Sequence, residues 1–389
     1  MTAAFDVIVL GVGGMGSAAC HQLAGRGARV LGLEQFPLVH DKGSSHGQTR
    51  IIRQAYFEHP DYVPLLLRTY ELWRQLEQSS GTTLFHQVGL VLSGQATGET
   101  IRGAKMSADL HHLHIEELTA GDAGKRWPAL SFPVDHTVVF EPLAGLLLVE
   151  ACVQAQIDQA IRCGATIRAD ERVLGWSSNG NSVVVRTDRD DYTAGSLVVT
   201  AGAWAGQCLG DLGLPLQVVR KFVGWFPIRE GRFGIDQGMP TWFFELPHGT
   251  FYGFPSLDGR TAKLAEHSGG QSVDDPAMVD RKLHAEDLTR LAAFIPSHLP
   301  GLNAVPTEHS VCLYTLTPDQ HFIVDIHPQW NNVAIAAGFS GHGFKFAPVI
   351  GEALADLALN RSTALPIGFL GLTYRWLVRP PVPPCAGRG

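Results

Sequence analysis

Arg50 and Arg53 sit three residues apart in the run Thr49-Arg50-Ile51-Ile52-Arg53. Guanidinium groups flanked by bulky apolar residues are costly to bury unless they meet anions. The pair suits a phosphate, a substrate carboxylate or a carbonyl on a ring; the plainer reading is two surface arginines. In Ala262-Lys263-Leu264-Ala265-Glu266-His267 the alternation puts Lys263, Ala265 and His267 on one strand face. That face either lines a pocket or is solvated. Cys312 and Tyr314 also share a side, although a lone cysteine is more often a small buried hydrophobe than a nucleophile. Gly338-Phe339-Ser340-Gly341-His342-Gly343-Phe344-Lys345 offers a backbone cradle for a ring or a carboxylate. Lys345 there opens a helix, against the dipole preference for anions at that end.

The elements that position these groups begin at the N-terminus. Phe5 to Leu10 is an apolar run that reads as a buried parallel strand. Gly11, Gly13 and Gly16 follow it in G-x-G-x-x-G spacing, ahead of a helix bearing Ala18, Ala19 and Leu23. Ala28 to Leu33 is the next strand and ends on Glu34. The first glycine allows the tight turn, the second lets backbone approach a pyrophosphate, and the third lets helix and strand pack. The helix N-terminus faces the phosphates and Glu34 accepts from ribose hydroxyls. This βαβ unit marks a dinucleotide site and leaves NAD and FAD equally open.

Further along, Asp61 is expected to cap a helix carrying Leu65, Leu66, Leu72, Trp73 and Leu76, with Gly81 ending it. Val88 to Leu92 reads as a strand, Thr119 to Trp127 as a short helix and Val149 to Cys163 as a longer one. Strands at 165–168, 173–176 and 183–186 follow, the last two joined by an Asn179-Gly180 turn. Leu197 to Thr200 is a buried strand running into Ala201-Gly202-Ala203-Trp204 and another helix, a second place where backbone approaches a phosphate or a ring. Aromatic and β-branched residues dominate 218–264, which predicts antiparallel sheet. Pro276 to Phe294 reads as one helix with Met278, Leu283, Leu288 and Leu291 inward. Strands follow at 309–315, 322–326 and 333–337, then a helix over 343–359 and a Pro-rich tail, 379–389.

The expected fold is mixed α/β: a discontinuous Rossmann-like nucleotide domain (1–84, 146–217 and 319–389) and a substrate domain of antiparallel β-sheet plus helix (85–145 and 218–318). Of the 389 residues 17% are charged and 45% hydrophobic, and the net charge of −7 argues against nucleic acid or an anionic membrane as partner. No apolar run approaches the roughly 20 residues that span a bilayer. Nor does a basic, apolar leader precede Phe5. Cys20, Cys152, Cys163, Cys208, Cys312 and Cys385 show no C-x-x-C spacing, which fits reduced thiols in the cytoplasm. No H-E-x-x-H, Cys/His or calcium-loop pattern predicts a metal, and no G-x-S-x-G elbow predicts a serine nucleophile.

Longer segments carry a resemblance. Gly43-Ser44-Ser45-His46-Gly47-Gln48-Thr49-Arg50-Ile51-Ile52-Arg53 with Ala55-Tyr56, the FYGFPS run from Phe251, Cys312 to Thr315, TPDQHFIVDIHP from Thr317 and VAIAAGFSGHGFKF from Val333 are similar to monomeric sarcosine oxidases and N-methyltryptophan oxidases. The resemblance runs to about Leu359. It implies a flavin amine oxidase of the D-amino-acid-oxidase fold, with FAD as cofactor, a small amine and O2 as substrates, and a monomeric chain. It places Glu34 on the adenosine ribose, His46 and Arg50 by the flavin ring, and Gly341 and Gly343 in its cradle. Cys312 is implied to be joined through sulfur to the flavin 8α-carbon, Lys263 to activate oxygen, and Arg53 and Lys345 to grip the substrate carboxylate. Tyr252, His267 and Tyr314 are implied to line the pocket, and Lys263, His267, Tyr314 and Arg50 to serve the chemistry. Two cations on a carboxylate would turn the amine C–H toward flavin N5. The implied reaction takes sarcosine, O2 and water to glycine, formaldehyde and H2O2. Its alternatives are a larger or cyclic amine (N-methyltryptophan, proline, pipecolate), a flavin dehydrogenase, and a non-catalytic flavin subunit. Three departures stand out: Ser45-His46 replaces paired histidines, Gln48 replaces an aspartate, and Phe243 makes a bulkier pocket wall.

Overall fold

The computed structural model describes residues 5–372; the expected tail at 379–389 and Cys385 lie outside them. Phe5–Leu10 forms the centre of an eight-stranded sheet, paired in parallel with Val30–Leu33 on one side and Asp191–Val199 on the other. Thr166–Arg168 extends one edge in parallel, and Val333–Ala337 continues the sheet beyond Asp191–Val199. Ile323–Ile326 runs antiparallel to Val333–Ala337. The hairpin Val173–Ser178 to Val183–Thr187 turns at Asn179-Gly180, where Asn179 Oδ1 accepts from the N–H groups of Asn181 and Ser182. Val7, Ile8, Val9 and Leu10 are all buried, as strands covered on both faces require.

The helix Gly14–Gly25 covers this sheet and lies between Val149–Arg162 and Ala347–Asn360. Small residues allow that close seam: a Cβ on Gly351 would stand 2.6 Å from the Ala18 carbonyl carbon.

A nine-stranded sheet forms the second layer. Gln217–Pro227 pairs antiparallel with both Thr261–Glu266 and Glu308–Leu316, and Gly249–Phe254 and Thr241–Leu246 follow in antiparallel register. Thr241–Leu246 then pairs in parallel with Leu90–Gly94, to which Thr137–Glu141 and Glu116–Thr119 are added. A three-stranded sheet of Thr49–Ile52, Gly145–Leu148 and Phe85–His86 fixes the segment that carries Arg50.

Several expected elements are corrected. Residues 276–294 are not one helix. Pro276–Met278 is a single 3-10 turn, Val279 is extended, and the helix runs Ala285–His298. Met278 is 79% exposed and Leu283 39%, while Leu291, Phe294 and Ile295 face the core. The start is set by Asp287, whose carboxylate accepts from the His284 N–H and pairs with buried Arg220. The helix after Trp204 is one turn, Ala205–Cys208. Asp61 is not an N-cap. His59 Nδ1 accepts from the Asp61 N–H, and the 3-10 turn Pro60–Tyr62 leads into Val63–Ser80, which Gly81 ends in a left-handed conformation. The strand expected at Val88 begins at Leu90, after Gly89 at φ +80°. The last helix is Ala347–Asn360, preceded by a 3-10 turn, so Lys345 sits ahead of the α-helix.

Candidate active site

The glycine turn has the division of labour its spacing implies. Gly11 takes φ +86°, and a Cβ there would lie 2.7 Å from the Thr200 carbonyl oxygen. A Cβ on Gly16 would stand 1.7 Å from the Gly11 carbonyl oxygen, so Gly16 is a packing residue and not a cleft surface. A Cβ on Gly13 would meet only Ser45 Oγ at 3.8 Å, which leaves the backbone open to a ligand. Glu34 is buried at the end of its strand, accepting from Val12 N–H at 2.9 Å and Phe36 N–H at 3.2 Å. It braces the turn and keeps lone pairs for a ribose. A cleft of about 760 Å³ runs from Glu34 past Gly11–Met15 and the 200–204 segment to Arg50, Tyr314, Gly341 and Gly343.

At its inner end the chain makes a turn with Gly47 at φ +87° and Gln48 at φ +73°. Glu150 accepts from both N–H groups, at 2.6 Å from Gly47 and 3.1 Å from Gln48. The turn presents its carbonyls to Lys263, whose Nζ donates to Gly47 O, to Thr49 O at 2.7 Å and to Thr49 Oγ1 at 3.0 Å. The ammonium also stands 4.5 Å from the Phe254 ring centroid. Burial and the Arg50 charge hold the Lys263 pKa well below the usual lysine value. Arg50 donates to Thr49 O at 2.9 Å and Ser44 O at 2.8 Å, and its Nη2 lies 3.4 Å from Cys312 Sγ. Burial alone would raise the Cys312 pKa, but His46, Arg50 and Lys263 together bring it down to about 6. Cys312, His46 and Lys263 lie behind the cleft surface, against Arg50 and the 47–49 turn. The His46 ring spends its nitrogens on Gly43 O and Ser310 Oγ.

The cleft adjoins a small pocket of about 60 Å³ walled by Ile51, Phe57, Leu92, Phe243, Tyr252 and His267. Arg53 is buried there between the Tyr56 and Phe57 rings, 4.1 and 4.0 Å from their centroids. Its Nη2 donates to both carboxylate oxygens of Glu58 at 2.6 Å. Burial alone would raise the Glu58 pKa, but Arg53, His342 and Lys345 hold it at about 2. Lys345 donates to His342 O at 2.6 Å, and burial together with Arg53 brings its pKa down to about 7. His342 bonds the Tyr56 hydroxyl. His267 Nδ1 lies 3.3 Å from the Tyr314 hydroxyl, and burial with Lys221 nearby lowers its pKa to about 3, so the imidazole is neutral. Tyr314 lies flat against Gly341, where a Cβ would come within 2.2 Å of its ring. Gly343 is needed in the same way by Phe339, 2.4 Å from a built Cβ. Phe243 packs on Phe57 and His267, with ring centroids 5.3 and 5.9 Å apart.

Gly16, His46, Lys263 and Cys312 stand behind the walls, the other predicted residues line the cleft or the pocket, and Arg50 borders both. Arg53 is buried and Arg50 is half-buried in the cleft wall, and on the Lys263–Ala265–His267 strand face Lys263 and Ala265 are buried and His267 lines the pocket, so that face is not solvated. Glu58, Phe57, Leu90 and Leu92 were not foreseen. The signal for Glu58 was physical: a buried guanidinium needs an anion, and Glu58 is the next acid along the chain.

A dinucleotide cleft opening beside a small pocket with two buried basic side chains is the arrangement of a cofactor-dependent redox enzyme. The comparisons with known proteins sharpen this. The profile of the FAD dependent oxidoreductase family matches residues 6–357. The monomeric sarcosine oxidase of Streptomyces avermitilis is 43% identical over 373 residues, covering 95% of this chain and 97% of its own. The N-methyl-L-tryptophan oxidase of Yersinia pestis is 35% identical over 372 residues, covering 95% and 98%. Among solved structures, NikD, an unusual amino acid oxidase essential for nikkomycin biosynthesis, superposes with a TM-score of 0.84 at 28% identity, covering 95% of this chain and 98% of its own. The chain belongs to the FAD-dependent oxidoreductase family, in the group of the monomeric sarcosine oxidases and N-methyltryptophan oxidases. Its cofactor is FAD, and the cleft fits it: length for a dinucleotide, bare backbone at Gly13 for the pyrophosphate and a glycine-floored inner end for a ring. Among the described residues no helix is long and apolar enough to cross a membrane, and no cluster of ligating side chains suits a metal ion.

Proposed function

We propose that this enzyme oxidises N-methyl amino acids, with sarcosine as the principal substrate: sarcosine, O2 and water give glycine, formaldehyde and H2O2. The observation that carries the reading is the placing of Arg53 and Lys345, two buried cations, at a pocket that opens beside the cofactor cleft. A carboxylate there gains charge-assisted hydrogen bonds from both. The rest of the ligand then lies among Phe57, Leu92, Phe243 and Tyr252. The small volume and the Phe243 wall favour sarcosine over N-methyltryptophan. The same cations disfavour an ammonium beside them, so the amine is bound in its reactive neutral form. Neutral His267 and the Tyr314 hydroxyl supply polar contacts without adding charge.

FAD, when bound, supplies the electron acceptor for C–H oxidation and returns the electrons to O2. Glu34 and the Gly11–Met15 turn, packed on Gly16, would hold its adenosine and pyrophosphate, with Gly341, Gly343 and Arg50 around its ring and His46 behind them. Cys312, whose pKa His46, Arg50 and Lys263 bring down to about 6 against the pull of burial, would hold the ring through its sulfur. Lys263, behind the 47–49 turn, would act on negative charge developing on oxygen from there, its amine held by Gly47 and Thr49. The division into a nucleotide domain (1–84, 146–217, 319–389) and a substrate domain (85–145, 218–318) belongs to the same proposal, as does a monomer working in the cytoplasm.

A peroxide assay over sarcosine, N-methyltryptophan, proline and pipecolate tests the substrate: release fastest with sarcosine is expected, and no release with any of them overturns the proposal. Acid precipitation tests the tether. Yellow colour stays with the wild-type pellet, whereas Cys312→Ala leaves the flavin in the supernatant.

A further inference from the structure

Arg53, Tyr56, Phe57 and Glu58 belong to a stretch without regular structure, so their positions are set by whatever grips its backbone. The helix Glu99–His111 does so twice. Gly103 lies where a Cβ would be 2.2 Å from the Phe57 carbonyl oxygen, and Ser107 Oγ donates to Tyr56 O at 2.6 Å. The other grip is ionic. Glu141 ends the strand Thr137–Glu141 of the nine-stranded sheet and is 1% exposed. Its Oε1 accepts from the Gln54 N–H at 2.6 Å and its Oε2 from the Ala55 N–H at 3.1 Å. The carbonyl of that same Ala55 accepts from Arg53 Nη1 at 3.4 Å. Glu141 thus holds the two peptides immediately before the Ala55 carbonyl onto which the Arg53 side chain folds back. Burial pushes the Glu141 pKa up to about 7, and the two backbone donors and the nearby Arg53 charge pull it back only in part.

We infer that Glu141 is a positioning residue for substrate binding: by bridging the N–H groups of Gln54 and Ala55 it aims the Arg53 guanidinium into the pocket. The inference rests on the reading that Arg53 meets the substrate carboxylate. Glu141→Gln keeps the shape but sets an NH2 against one of the two N–H donors, so one grip is lost and the turn is free to shift. Glu141→Asp keeps the charge but draws the carboxylate back from both donors.

The test measures KM and kcat for sarcosine, the Kd of propionate from its perturbation of the flavin spectrum, flavin content and melting temperature. It compares the wild type with Glu141→Gln, Glu141→Asp and Arg53→Met. In Glu141→Gln both KM and Kd should rise about tenfold, with kcat within about twofold and flavin content unchanged, as for the loss of one charge-assisted hydrogen bond. Glu141→Asp should move KM and Kd in the same direction, and it carries the test alone if the glutamine variant does not fold. If Arg53→Met weakens propionate binding while both Glu141 variants leave it intact, the inference is wrong and the carboxylate reading stands. If Arg53→Met leaves both constants unchanged, the carboxylate reading fails and Glu141 loses its proposed role with it. A lower melting temperature with unaltered KM and Kd would mark Glu141 as merely structural, which also overturns the inference.

Discussion

At Lys345 the proton balance of the pocket becomes measurable. Its folded-state pKa of about 7 lies below the ordinary 10.5, because burial and Arg53 oppose the ammonium. A carboxylate ligand needs that ammonium, so binding above pH 7 must take up a proton. The Kd of an amine-free carboxylate such as propionate should therefore rise by up to about tenfold per pH unit above 7. Calorimetry in buffers of different ionisation enthalpy should register the uptake, and Lys345→Met should abolish it. The sign for stability follows from the same shift. Between about pH 7 and 10.5 the unfolded chain binds more protons at this site, so its contribution to stability rises with pH across that window. Lys263 makes a different prediction. Its ammonium donates to three oxygens of one turn. Lys263→Met should slow reoxidation by O2 in stopped-flow by about 10² or more, the scale set by loss of one preorganised donor, while anaerobic reduction by substrate changes far less. Equal slowing of both half-reactions would remove Lys263 from the oxygen step.

At the scale of elements, what the sequence revealed was local pattern. The first strand, the glycine turn and the Val149–Arg162 helix were legible because apolar period and turn glycines lie within a few residues of the feature they specify. The helix at Ala285–His298 was misplaced because its start depends on Arg220, on a strand 67 residues upstream of Asp287. The Glu99–His111 helix went unseen because its buried stripe is mostly small or polar, with Thr100, Gly103, Ala104, Ser107 and Ala108. The site divides similarly. Arg50, Arg53, Lys263, Cys312 and Lys345 stood out as charges or a thiol in apolar or glycine-rich settings, and the family resemblance supplied their roles. Phe57 could not be read, since nothing local tells which side of an irregular stretch faces a pocket; Glu58 was signalled only by the anion a buried Arg53 requires, and the place of Leu92 depends on its strand's pairing with the distant Thr241–Leu246. The tight glycines offer a test at this scale. Gly341→Ala drives a methyl into the Tyr314 ring at φ +80°, so Tyr314 must move. KM for sarcosine should rise, and the melting temperature should fall by several degrees for a cost of about 1–3 kcal/mol. An unchanged KM would show that Tyr314 is not a pocket wall.

At the scale of the whole molecule, the small sheet of Thr49–Ile52, Gly145–Leu148 and Phe85–His86 is separate from both large sheets, and its first strand carries Arg50, which borders both the cleft and the pocket. The eight-stranded sheet has a further property. Leu10, at the edge of the glycine turn, pairs with Val199, and Val199 pairs with Ile335. The Gly11 turn itself rests on Thr200, whose hydroxyl donates to Gly11 O at 2.8 Å. During synthesis the emerging chain therefore displays its most recognisable nucleotide motif first and is able to use it last. With elongation at roughly 5–20 residues per second, the interval between Val199 and Ile335 leaves the half-built sheet with an open edge on the ribosome for on the order of ten seconds. A chain stopped just before Val333 should come off colourless and prone to aggregate, and FAD should act on folding only as a late, post-ribosomal ligand.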